Sequence, residues 1–209
     1  TTWDFRLDRT HPPLIRLISA LPLLLCEIEM RELHKELWRG PESYTLGYIL
    51  GWEMLLSGMN DMETILLFSR LPILILSCGL ALILFVWAKD LYGPFGGLVT
   101  LFFYSLSPNM LAHARLATVD LGLTFFFVAT LYCFYLYWKK RIFWILLLCG
   151  CFLGLALAAK VTALLLVPIL FLLMPEWWES GWFSLTKVKY GSLITNVLVL
   201  FFFSLTVLF

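Results

Sequence analysis

The chain has 209 residues, of which 61% are hydrophobic and 17% aromatic, and its formal net charge is +1. A soluble domain is usually about 45–50% apolar; here the excess lies in long blocks, with a mean hydropathy of +0.90, so the expected fold class is all-α, a polytopic transmembrane helix bundle. A charge this near neutral gives no electrostatic footing for nucleic acid, which is excluded as a partner.

Residues 1–70 are charged at intervals, and their apolar run from Pro12 to Cys26 is interrupted by Arg16. That run is short for a span, which needs about 20 residues. Residues 27–38 read as an amphipathic helix, with Ile28, Leu33, Leu37 and Trp38 on one broad face and Glu27 and Arg31 four apart. Tyr44, Tyr48 and Trp52 recur every four residues, as on a helix lying at a lipid interface. This part is expected to be a long non-cytoplasmic loop with helices lying on the membrane surface. Residues 71–209 are expected to form the bundle, with spans near 71–87, 97–107, 121–138, 142–159, 161–174 and 191–209. Gly93-Pro94 is the turn signal between the first two. A polar, tryptophan-rich connection fills 175–190. Thr1 and the apolar run at 193–209 leave both ends looking cut, with no signal peptide visible, so a piece of a longer protein is expected.

Short-loop lysines and arginines set the orientation. Lys89, Lys139, Lys140, Arg141, Lys187 and Lys189 share one side, which is read as cytoplasmic; the other short loops hold only Arg115 and Lys160. His113, Arg115, Asp120 and Lys160 then face the opposite side with the surface helices. Ionisable groups are costly in or near hydrocarbon, so this gathering marks a candidate site.

Asp120 opens a span, and in an ideal helix His113, seven residues earlier, shares its face. The bland alternative for Asp120 is a carboxylate favoured by a helix N-terminus; for Arg115 it is snorkelling, and for His113 a structural hydrogen bond. Lys160 ends a stretch with small residues at Gly150, Gly154 and Ala158, a close-packing face. It either marks a turn or holds a phosphate at the membrane surface. His11-Pro12-Pro13 suits a helix start and sets His11 within about a turn and a half of Arg16. Cys26, Cys78, Cys133, Cys149 and Cys151 form no CxxC pair and read as small hydrophobes. The three histidines, His11, His34 and His113, are scattered, no metal-ligand spacing appears, and no glycine-rich nucleotide motif exists.

The stretch Arg6-Leu7-Asp8-Arg9-Thr10-His11-Pro12-Pro13-Leu14-Ile15-Arg16 resembles the HPPL-x-[KR] element of family 39 glycosyltransferases, the C-type membrane superfamily members that include protein O-mannosyltransferases and aminoarabinose transferases. Ser69-Arg70-Leu71-Pro72 with Trp87 to Gly93 is similar to their second span and its cytoplasmic end. Ser107-Pro108-Asn109, Ala112 to Arg115 and Thr118-Val119-Asp120 resemble their next extracytoplasmic turn, and Gly150 to Lys160 their glycine-rich span. The resemblance implies an integral membrane transferase, in a bacterial inner membrane, that moves a sugar from a polyprenyl-phosphate donor to a protein, lipid or glycan acceptor on the non-cytoplasmic face. A transporter or lipid flippase is the alternative. Asp120 is expected to orient the acceptor or a cation, with His11 beside it. Lys160, Arg16 and Arg115 are expected to grip the donor phosphate, with His113 nearby. The resemblance certifies no cofactor and leaves room for a divalent metal. Two features depart from the family pattern. The usual catalytic carboxylate lies upstream of HPPL, and Asp4 and Asp8 sit too close to His11 to replace it. Thr10 stands where relatives often carry an acid.

Overall fold

A computed structural model describes residues 11–29 and 43–173. Among these the protein is all-α, with no strand. The expected helix at 27–38 lies mostly outside the described residues, as do the 175–190 connection and the span at 191–209.

Pro12 and Pro13 lead into α1 (Leu14–Ala20), which tightens into a 3-10 turn at Leu21–Leu25 with Pro22 in its first turn. The α2 helix (Ser43–Leu56) carries Tyr48 and Trp52, 83% and 70% exposed, four residues apart on one face. Gly58, at φ 74°, then turns the chain into the next helix. Asp61 caps that helix: its carboxylate accepts from the Glu63 N–H at 3.2 Å and from the Thr64 hydroxyl. The Thr64 hydrogen bond holds the Asp61 carboxyl below its ordinary pKa.

The long helix Met62–Leu106 is broken at Gly93, whose φ of 81° and ψ of 179° only glycine adopts readily. The break divides it into α3 (62–92) and α4 (94–106), with Pro94 as the first residue of the second limb. The two limbs fold back on each other. The Ser77 hydroxyl lies 2.8 Å from the Tyr104 hydroxyl, which also donates to the Ser77 carbonyl at 2.9 Å. In one straight helix those residues would be about 40 Å apart. Gly93-Pro94 is thus the turn between two limbs, although the first limb begins at Met62 rather than near Leu71. A good N-terminal cap at Asp61 explains the earlier start. Inside the limbs, Ser69, Thr100 and Ser105 return their hydroxyls to backbone carbonyls three or four residues earlier, which satisfies them without water.

Ser107 ends α4, and Pro108 starts the short α5 (Pro108–Ala114). After an irregular turn, α6 (Val119–Lys140) runs 22 residues, about 33 Å and enough to cross a bilayer core. Arg141, in the left-handed region at φ 54°, closes α6 by donating its N–H to the Tyr137 carbonyl at 2.7 Å. The chain then reverses into α7 (Phe143–Ala159). Lys160 is extended and ends α7; a 3-10 turn (Val161–Leu165) leads into α8 (Leu166–Leu172). Pro168 explains the tight turn there, because its ring clashes with an α-helical carbonyl four residues back, at Leu164. The fifth expected span is therefore a 3-10 turn plus two turns of α-helix.

Met62–Leu106 and Val119–Lys140 are long and apolar enough to cross a membrane, and Phe143–Ala159 is a shorter apolar helix. With the composition, this identifies an all-α integral membrane protein. Its apolar outer face, with Leu74, Leu82, Phe95, Leu98 and Phe102 exposed, suits a hydrocarbon solvent.

The core joins α6, α7, α8 and α1 through Leu121, Phe126, Cys133, Leu146, Cys149, Leu153, Ala156, Leu166 and Ile15. Gly150 and Gly154 are buried, as the small-residue pattern suggests, but Ala156 and Ala159 are sealed more fully than Ala158. Thr130 is fully buried; its hydroxyl donates to the Phe126 carbonyl at 2.7 Å, and the Cys149 thiol donates to the Thr130 carbonyl at 3.4 Å. Ile15, 1% exposed, is the peg that docks α1. It lies so close to Gly122 that a β-carbon there would collide with the Ile15 side chain.

Gly93→Ala should destabilise the α3–α4 turn by about 1–3 kcal/mol, lowering the melting temperature of the detergent-solubilised protein. Gly51→Ala, where a β-carbon meets nothing within 4 Å, serves as control. Equal melting of the two variants would show that the left-handed turn does not form.

Candidate functional site

The turn at Arg141 makes α6 and α7 an antiparallel hairpin, so residues equally distant from it meet at the open end. Asp120 lies in the first turn of α6 and Lys160 just past the last residue of α7. Lys160 Nζ is 2.8 Å from Asp120 Oδ1, a hydrogen-bonded ion pair across 40 residues of chain. Both charges also suit their helix ends: the carboxylate sits at a positive N-terminus and the ammonium at a negative C-terminus. Lys160 is 25% exposed and Asp120 53%, so the pair lies at a mouth and is not sealed inside the bundle.

Two imidazoles bear on this carboxylate. His113 and His11 both act electrostatically on Asp120, after Lys160. His113 arrives by a route other than ideal helical spacing. The α5 helix ends at Ala114, the Leu116 N–H donates to the His113 carbonyl at 3.3 Å, and Thr118 is extended before α6 begins. His113 Nδ1 lies 3.3 Å from the Thr118 hydroxyl, which ties the ring to the entrance of α6. His11 is brought in by α1, because the Ile15–Gly122 contact docks that helix on the first turn of α6. Arg16 follows Ile15 on α1 and is exposed.

Arg115 lines a groove of about 410 Å³, together with Arg70, Glu63 and an apolar floor that includes Leu67, Leu71 and Leu74 of α3. The turn after α5 thus has two sides, with His113 toward Asp120 and Arg115 toward α3. The approach of Arg70 to Arg115 was not foreseeable from either residue alone; the only hint was a charge at the head of an apolar run. Asn60 is a second unanticipated device. Its side chain accepts the Glu29 N–H at 2.8 Å and donates to the Glu29 carbonyl at 2.9 Å and the Met54 carbonyl at 3.1 Å. It thereby straps the segment after α1 to the start of α3.

Among the described residues, no three histidine, cysteine or acidic side chains are placed to hold a metal ion. The lysine on Asp120 Oδ1 already supplies a positive charge there. All five cysteines are free.

In a double-mutant cycle, Asp120→Asn and Lys160→Met should be non-additive, with a coupling of roughly 0.5–1 kcal/mol, since the pair is largely solvent-accessible. Strict additivity in thermal unfolding would show that the two side chains do not meet.

A profile of the dolichyl-phosphate-mannose-protein mannosyltransferase family matches residues 44–206. No curated protein and no solved structure matches the chain.

Proposed function

Since this chain belongs to the dolichyl-phosphate-mannose-protein mannosyltransferase family, and is therefore a membrane glycosyltransferase drawing on a lipid-linked sugar, we propose that it acts as a family 39 enzyme whose transfer site is the mouth formed by Asp120, Lys160, His11 and His113. The donor is a polyprenyl-phosphate sugar, and a hydroxyl-bearing protein, lipid or glycan is the acceptor. The mouth faces the non-cytoplasmic side, and the membrane is a bacterial inner membrane. The observation that carries the reading is the Lys160–Asp120 pair at 2.8 Å.

In such a transfer the acceptor oxygen forms a bond to the anomeric carbon, and the bond from that carbon to the phosphate oxygen breaks. The lipid phosphate leaves with the electron pair, and a base takes the acceptor proton. Charge grows on the leaving phosphate, so fixed cations near it lower the barrier. Lys160 gives one of its three N–H donors to Asp120, leaving two for phosphate oxygens. Arg16 on α1 and Arg115 at the adjacent groove are the further cations assigned to this work. The groove suits the donor's approach: guanidinium groups of Arg70 and Arg115 stand above leucines exposed toward the hydrocarbon. A lipid-borne donor can slide in sideways there.

Asp120, held by Lys160, is a positioning carboxylate and not the proton acceptor. It fixes the ammonium and presents its remaining oxygen to the acceptor. The transporter or flippase reading is not favoured by the family assignment.

Lys160→Ala should reduce sugar transfer from a polyprenyl-phosphate donor on the order of 10²-fold, the scale for loss of one transition-state donor. Membrane insertion and expression should be unchanged. Wild-type transfer rates in a well-expressed Lys160→Ala protein would remove Lys160 from the chemistry.

A further inference from the structure

The end of the bundle opposite Asp120 holds a cationic cluster of its own. Lys139, Lys140 and Arg141 follow one another at the α6–α7 turn. Two of the three are braced on aromatic rings. The Arg141 guanidinium carbon lies 3.7 Å from the centre of the Trp138 ring, and Lys139 Nζ lies 5.6 Å from the Tyr135 ring centre while donating to the Tyr135 hydroxyl at 3.4 Å. Stacking occupies the face of a guanidinium and leaves its in-plane N–H groups directed outward. The left-handed backbone of Arg141 fixes the base of that side chain as well.

None of the three cations has a carboxylate partner among the described residues. Asp90 shares this end, since it acts on Tyr132, whose ring sits 5.7 Å from Trp87, yet it forms no ion pair with them. Lys89, beside it, adds a further positive charge. Cations fixed in place with unused donors are suited to a phosphate.

What lies next to the cluster decides the source of that phosphate. The chain continues directly into Ile142, Phe143 and Trp144, all exposed, with Trp144 at 76%. Leu148, one turn further along α7 on the face of Trp144, is exposed too. A tryptophan above an apolar stripe and below fixed cations has the layering of a lipid molecule: headgroup, glycerol region, acyl chain. We propose that the α6–α7 turn is a seat for one anionic phospholipid, its phosphate held by Arg141, Lys140 and Lys139 and its acyl chain lying along Trp144 and Leu148. The seat is independent of the transfer site, and its proposal stands or falls apart from it.

The test uses brominated lipids, which quench tryptophan on contact. The chain and its Trp144→Phe variant are reconstituted in phosphatidylcholine vesicles containing an equal minor fraction of either brominated phosphatidylglycerol or brominated phosphatidylcholine. The difference between the two proteins isolates Trp144. The brominated anionic lipid should occupy the contact about fivefold or more in preference to the zwitterionic one, the preference one surface cation confers. Arg141→Gln and, separately, the exposed Lys140→Gln should each reduce that preference by a similar factor, with helical content unchanged. Equal quenching by the two lipids would overturn the proposal, as would retention of the full preference in both variants. Abolition of the preference by soluble inorganic phosphate would assign the cluster to a free anion and also overturn it.

Discussion

The ion pair between Lys160 and Asp120 ties together the open end of the α6–α7 hairpin, and the geometry of the mouth follows from it. The other end of that hairpin is closed covalently by two residues. The open end is closed only by side chains. Without the pair, an unshared carboxylate and an unshared ammonium would face each other at the open end of the hairpin. With it, the N-terminus of α6 has a fixed neighbour, and Gly122 in the same first turn presents a flat surface for Ile15. Docking of α1 then delivers His11, and the irregular turn before α6 delivers His113.

The bundle solves two problems with the same residues. Backbone groups at membrane depth must be satisfied internally, so helices end only where the chain emerges or reverses. Each such end leaves unpaired carbonyls or N–H groups with partial charge. Cations therefore collect at the α6 C-terminus and the α7 C-terminus, while a carboxylate collects at the α6 N-terminus. A site for an anionic lipid-linked donor can form at this mouth because those helix ends are already charged and held. No deep polar cavity is required for a substrate that stays in the bilayer.

The sequence made some of this legible. Lys139 to Arg141 marked the reversal of α6 into α7, and Gly93-Pro94 marked the fold-back of α3 on α4, because both are local backbone requirements. The all-α membrane class was legible from the apolar blocks. Other features depended on contacts between distant residues. Asp120 and Lys160 were placed at one candidate site by the charge pattern, but their direct pairing at 2.8 Å depends on closure of the hairpin. The approach of His113 was expected from helical spacing, yet it comes from an irregular turn anchored by Thr118. Arg115 lines one groove with Arg70, a neighbour that neither local sequence announces. The Asn60 strap left no local signal at all, since its partners are backbone atoms of Glu29 and Met54.

The most direct measurement is chemical cross-linking in native membranes. The five cysteines are replaced by alanine or serine, and a cysteine pair at positions 120 and 160 is treated with a short bis-maleimide. Rapid intramolecular cross-linking is expected for 120 with 160, and none for 120 with 141, which lie at opposite ends of α6, about 30 Å apart. Failure of the 120–160 pair to cross-link while both cysteines still react singly would contradict a mouth held shut by these two positions.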